Sequence, residues 1–238
     1  GDNDAQIIFW APEDDVKTAL ETIEERALMA FDGVPQETRK ALTDGTTQFP
    51  AVTKSIGPKA FKDTKIDARL DHTNATIESI GSEAFRNTET TTVALENATK
   101  LGNSNIGADV WDNTPMVTIN LLNTELTEMP EGLAEDIRRG DDAKDCNNNV
   151  ISGAKINTTL TTVVMPTKSN KVRNNNFWFC QDLNSLTMPA GITWIGAYAF
   201  AGTALTGLDL SAMTGLEYVG DAAFAYNEAL TKVIFADE

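Results

Sequence analysis

One histidine, two cysteines and 19 basic residues against 35 acidic ones leave this 238-residue chain poor in catalytic and anion-binding groups. Phosphate recognition needs clustered Lys and Arg, so a net charge of −16 argues against nucleic acid and anionic membrane surfaces as partners. No apolar run approaches the roughly 18 residues of a membrane span, so no membrane-spanning segment is expected. Cys146 and Cys180 have no metal-ligand spacing, and Cys180 reads as a small buried residue. Gly-rich phosphate loops, paired-His zinc motifs and Cys-x-x-Cys are missing, so neither a cofactor nor a catalytic residue is expected. His72 stands beside Asp71, but neighbours on an extended chain face opposite ways and no nucleophile elbow accompanies them. The start, Gly1-Asp2-Asn3-Asp4, carries no basic or apolar leader; the expectation is a chain that is not exported or one whose signal has been removed.

What the chain has is self-similarity. Ile-Gly-x-x-Ala-Phe stands at Ile56-Gly57 to Phe61, returns at Ile80-Gly81 to Phe85, and appears as Ile106-Gly107 to Trp111. It resumes around Val172 and Phe177, then at Ile195-Gly196 to Phe200 and Val219-Gly220 to Phe224. Three residues after each aromatic comes a small polar group or thiol: Thr64, Thr88, Thr114, Cys180, Thr203 and Asn227. Such a column is what a buried turn needs, because its backbone N–H and C=O groups must find partners. An L-x-x-L-x-L strand pattern follows, as in Leu160, Val163, Met165 and Leu183, Leu186, Met188, and Pro166 and Pro189 stop two of these strands. Each unit supplies one face of a core that only a neighbouring unit can cover.

The pattern resembles the BspA-like family of bacterial leucine-rich repeats, most closely from Cys180 through Pro189, Ile195, Gly196, Ala199 and Phe200. The resemblance implies an α/β solenoid: a right-handed leucine-rich-repeat array of about seven units of 23–26 residues, each with one short strand and a short helical turn. It covers residues 46–238, with a first rung that reads as degenerate at Arg69 and Asp71. After Met129-Pro130 the next unit stands 43 residues on, so an insertion of about twenty residues is expected near 135–158. Within it, residues 130–140 read as a short helix with Pro130 at its start and Gly140 at its C-cap. Asp141 to Asn149 reads as a polar loop; its oxygens could hold Ca²⁺ but lack the EF-hand spacing and glycine, so no metal is expected. Residues 1–45 read as an N-terminal helical cap, with Val16, Leu20, Ile23, Ala27 and Phe31 at helical spacing and a second helix from Pro35 to about Thr43. No capping element follows the strand-like Lys232-Val233-Ile234-Phe235, so an open end is expected there.

Two candidate partner-binding surfaces emerge. Outward strand positions, among them Thr118, Asn120, Thr162, Asn184, Thr187 and Asp209, predict a polar, Thr- and Asn-rich sheet face. Trp194 and Tyr218 each precede a rung's Ile or Val and should stack about 5 Å apart, with Tyr198, Tyr226 and Trp178 nearby on the turn side. The resemblance implies a non-catalytic protein, secreted or surface-anchored and lipid-anchored among the options, that binds a protein or glycan in adhesion. The alternative is a spacer or display domain with no ligand of its own.

Overall fold

The computed structural model describes residues 22–23, 45–48, 53–64, 66–70, 76–130, 133, 140–144 and 149–237. The chain coils so that strands of successive units stack in two parallel columns. The first holds β1 (Thr22–Ile23), β3 (Ser55–Ile56), β5 (Ser79–Ile80), β11 (Lys171–Val172), β13 (Trp194–Ile195) and β15 (Tyr218–Val219). The second holds β2 (Gly45–Gln48), β4 (Ile66–Arg69), β6 (Thr92–Ala94), β7 (Thr118–Asn120), β10 (Thr162–Val164), β12 (Ser185–Thr187), β14 (Gly207–Leu210) and β16 (Lys232–Phe235). Within each sheet a strand pairs with its equivalent one unit on, Ser55 opposite Ser79 and Val163 opposite Leu186. Among the described residues the pairing is interrupted between β5 and β11 and between β12 and β14, and is reduced to the Leu70–Val93 bridge between β4 and β6. This is a β-solenoid: side chains at alternate strand positions face inward, and the stack closes a core no single unit could form.

The segment between the columns is not helical, contrary to the expected helical turn. The one helix among the described residues is a three-residue 3₁₀ turn, Asn103–Asn105. In the turn after each repeat position of the glycine, the second and sixth residues adopt the left-handed conformation, as at Lys59 (φ 57°) and Asp63 (φ 61°), or Glu83 (φ 57°) and Asn87 (φ 58°). A residue at positive φ cannot continue a right-handed helix. Backbone bonds alternate instead. Ala60, Lys62 and Thr64 N–H donate three residues back, at 3.2–3.4 Å, while Lys59, Phe61 and Asp63 N–H donate to Ser82, Ala84 and Arg86 carbonyls of the next unit at 2.8–2.9 Å. The same alternation recurs at 175–180, so the turns are stacked as tightly as the strands.

That stacking explains the repeat glycine. A Cβ on Gly81, Gly107, Gly196 or Gly220 would come within 2.2–2.5 Å of a backbone nitrogen in the preceding unit. Inside, the aromatics form two ladders: Phe61 on Phe85 at 5.4 Å and Phe85 on Trp111 at 6.2 Å, then Phe177 on Phe200 at 5.5 Å and Phe200 on Phe224 at 5.8 Å. Burying each such ring contributes roughly 1.5–3 kcal/mol. The threonine column sits beneath them, Thr64, Thr88 and Thr114 hydroxyls donating at 2.7–2.8 Å to the carbonyls of Phe61, Phe85 and Trp111. Cys180 holds the same column, fully buried.

Three expectations change. Thr22–Ile23, inside the expected first cap helix, is a strand paired with Ser55–Ile56; the rest of that helix and the one from Pro35 lie outside the described residues. The described part of the first rung keeps an apolar pattern in a different register. Ile66 and Leu70 are buried and Leu70 pairs with Val93, so the apolar pattern is shifted by one residue from Arg69. Within the insertion, Asp142–Lys144 is not loop but β8, antiparallel to β9 (Val150–Lys155). The expected helix over 130–140 falls mainly outside the described residues, as do Asp71, His72, Cys146 and the centre of the proposed Ca²⁺ loop. Among the described residues no group of acidic, His or Cys side chains is placed to hold a metal ion.

Candidate binding faces

The second column carries the polar face. β7 pairs directly with β10 across 44 residues of chain, so the insertion leaves the stack unbroken. Thr92, Thr118, Thr162 and Ser185 lie in one outward row, and Ala94, Asn120, Val164 and Thr187 in the next. The threonines of the first row are half-buried by their neighbours, while Thr187 and Asp209 are exposed. Asn184 falls just before β12, its N–H donating to the Thr161 carbonyl, so it borders the rows without joining them. Asp209, opposite Ile234, accepts Ser211 Oγ at 2.6 Å and Ser211 N–H at 3.0 Å. Those bonds hold its carboxyl below the usual aspartate value.

The first column carries Trp194 and Tyr218. Their backbones are paired in register, and their rings stack at 5.2 Å with 9° between planes, continuing the row of Lys171. Trp194 is half-buried and Tyr218 is 45% exposed. Lys171 and Arg173 both reach Glu128, at 2.9 and 3.0 Å. The Arg173 bond, reinforced by Lys171, depresses the Glu128 carboxyl against the opposing effect of burial.

Trp178 is separated from that pair. It contacts Phe179 and Tyr198, each at 5.9 Å, and packs with Phe179, Ala143, Ile151 and Ile156 against the inserted hairpin. Phe179 in turn meets Tyr226 at 5.6 Å. The aromatics read from the sequence as neighbours therefore form two groups, one on the strand column and one on the turn face. Phe179 was missed; the signal was its place in Phe177-Trp178-Phe179, where only Phe177 fits the inward repeat position. On the turn face of the first three units the corresponding groups are polar. Asn113 Nδ2 donates to Asn87 Oδ1 at 2.9 Å, and Asn87 Nδ2 donates to the Asp63 carboxylate at 2.5 Å, forming a hydrogen-bonded ladder. Beside it, Glu83 gathers Lys59, Lys62 and Arg86, and Arg86 continues to Asp112 at 2.9 Å. The Lys62 hydrogen bond lowers the Glu83 carboxyl below its ordinary value.

The profile of the BspA type leucine-rich-repeat region matches residues 44–133 and 152–238, in six copies. The chain belongs to the BspA-type leucine-rich-repeat family. Six copies match where about seven units were expected from the resemblance. Among solved structures, this BspA-type chain is similar to a leucine-rich cell surface protein from Faecalibacterium prausnitzii A2-165, at 19% identity and a TM-score of 0.39, over 90% of this chain and 42% of that one. A leucine-rich-repeat protein from Bacteroides ovatus ATCC 8483 is similar at 16% identity and a TM-score of 0.37, over 90% of this chain and 70% of that one. A different likeness is short and local. One of the polypeptides of glutamyl-tRNA(Gln) amidotransferase is 50% identical over 48 residues in Methanopyrus kandleri and 56% identical over 48 residues in Sulfurisphaera tokodaii. Each match covers 20% of this chain and 8% of that protein's length. No helix among the described residues is long and apolar enough to cross a membrane.

Proposed function

We propose that this BspA-type chain is a non-catalytic binding module of a secreted or surface-anchored bacterial protein, attaching to an extended protein or glycan in adhesion. The observation that carries the reading is the unbroken outward row Thr92, Thr118, Thr162 and Ser185, repeated at rung spacing with Asn120 and Thr187 beside it. Hydroxyl and amide groups repeated at the roughly 4.8 Å spacing of a sheet offer many weak, equivalent contacts to a chain lying across them. Trp194 and Tyr218 add an aromatic edge on the other column. The carboxylates with lowered pKa values serve the scaffold: Glu78, Glu83 and Glu128 sit in ion pairs, and Asp209 ties back its own strand end. Lipid anchoring and export belong to the same reading.

Thr162→Lys and Thr118→Lys test it, because a long cation on the row obstructs a docked chain without touching the core. On an array of immobilised matrix proteins and glycans, the unaltered chain retains at least one partner and both variants lose it. Equal retention by the variants refutes the sheet row as the contact surface.

A further inference from the structure

The left-handed positions of the turns are occupied in most units by residues suited to them or by short or flexible ones. The sixth position after the glycine holds Asp63, Asn87, Asn113 and Gly202, and the second holds Lys59, Glu83, Asp109, Asn175 and Ala222. Three aromatics depart from this: Phe179 (φ 52°), Tyr198 (φ 55°) and Tyr226 (φ 58°). A bulky ring there costs on the order of 1 kcal/mol of backbone strain. For Phe179 burial offsets the strain, since its ring is 2% exposed beneath the hairpin. Tyr198 and Tyr226 are compensated less: each keeps one ring contact, and they remain 37% and 43% exposed.

The surface around them is unlike the earlier turns. Where those carry Lys62-Asp63, Arg86-Asn87 and Asp112-Asn113, the last two carry Ala201-Gly202 and Ala225-Tyr226, and neither turn contains Lys or Arg. Small residues thus lie beside the rings of Trp178, Tyr198 and Tyr226, with the buried Phe179 ring covering Gly202. The rings are tilted on their neighbours, by 47° for Trp178 and Tyr198 and 32° for Phe179 and Tyr226, whereas Trp194 and Tyr218 at 9° cover one another's faces. Exposed Asn174, Asn175 and Asp221 supply polar groups on the same turns; Asn174 Oδ1 already accepts the Ala197 N–H at 2.9 Å, and the Asp221 carbonyl takes the Tyr198 N–H at 3.0 Å.

We infer that this turn face is a site for a neutral glycan. The inference rests on the binding reading above but places the contact on a different face from the sheet rows. A sugar ring offers a C–H face to an aromatic ring and hydroxyl donors to amides and carboxylates, and these are the groups this turn face presents. The absence of cations in the last two turns, the pairing of Arg173 with Glu128 and the net charge of −16 disfavour a phosphorylated or acidic ligand.

The test is native affinity electrophoresis of the full chain through gels holding galactomannan, xyloglucan, mixed-linkage β-glucan, dextran or polygalacturonate. At least one neutral polysaccharide retards the protein, and polygalacturonate does not. Tyr198→Asn and Tyr226→Asn install the residue other units place at these backbone positions, so they keep the melting temperature. Both weaken retardation about tenfold, the loss expected for a contact residue. Thr162→Lys leaves retardation unchanged, which separates this site from the sheet rows. Free migration of the unaltered chain through every neutral gel overturns the inference, as does equal retardation of the two Asn variants. Loss of a bound matrix protein on Tyr226→Asn, with no polysaccharide retarding the chain, also overturns it in favour of a protein ligand.

Discussion

The ring of Phe179 lies across Gly202: a Cβ added at Gly202 would stand 2.4 Å from Phe179 Cδ1 and 2.6 Å from its Cε1. Gly202 also sits at φ +70°, so two independent constraints exclude a side chain there. The gap it leaves is what allows Phe179 to reach both the hairpin cluster and Tyr226. Gly202→Ala is expected to lower stability by about 1–3 kcal/mol through backbone strain and overpacking. Urea denaturation measures the loss. Hydrogen exchange should also quicken in the β8–β9 hairpin, which Phe179 anchors.

The repeat glycines are required by close approach of backbones and not by a turn geometry. Gly196→Ala pushes a methyl into Asn174 N, 2.5 Å away, whereas Gly215→Ala meets only a side-chain methyl of Thr193 at 3.8 Å. The first should lower the urea midpoint by the equivalent of about 1–3 kcal/mol, and the second should leave it within about 0.5 kcal/mol of the parent.

The threonine column makes a complementary prediction. Thr114 is fully buried and its hydroxyl donates to Trp111 O at 2.7 Å; Thr118 faces outward, half-buried. Thr114→Val should cost about 1 kcal/mol through the lost bond. Thr118→Val, measured alongside by thermal unfolding, should cost nothing measurable, because a strand accepts a β-branched residue readily on an outward position.

How much of this was legible in the sequence depended on whether the deciding contact was local. The Ile-Gly-x-x-Ala-Phe register, the threonine column and the inward strand positions are repeated, so each copy corroborated the others. The turn conformation was not readable in the same way. Spacing of Ala60 and Phe61 fits a helical turn as well as a left-handed one, and the deciding bonds run from Phe61 to Ala84, 23 residues away. Asp63, Asn87 and Asn113 were a usable cue, since these residue types tolerate positive φ, but Tyr198 and Tyr226 at equivalent positions obscured it. Thr22–Ile23 was misread for the same reason: helical spacing is local, and its pairing with Ser55–Ile56 is not. Of the candidate site residues, the Trp194–Tyr218 pair followed from rung arithmetic. Trp178 did not, because its neighbours come from the inserted hairpin, which breaks the repeat.

Glu128 gives a dependence on pH. Arg173 first, then Lys171, hold its carboxyl below the ordinary value of 4.5 in the folded chain. The unfolded chain therefore takes up the proton more readily. The ion pairs contribute stability above about pH 4.5, and that contribution is lost as pH falls through the lower folded value. Urea midpoints collected from pH 6 down to about pH 3 should fall less steeply for Glu128→Gln than for the parent. Because the three groups join the fourth unit to the fifth across the insertion, raising ionic strength should also narrow the difference between the two proteins.

The most direct measurement of the binding account is the same matrix-protein and glycan array probed with the parent, Thr162→Lys and a Trp194→Ala/Tyr218→Ala double variant, each first shown to melt as a folded protein. The account predicts a partner held by the parent and lost, by about tenfold or more in Kd, from both variants. Retention of every partner by folded Thr162→Lys and Trp194→Ala/Tyr218→Ala proteins, with affinities equal to the parent's, would contradict it.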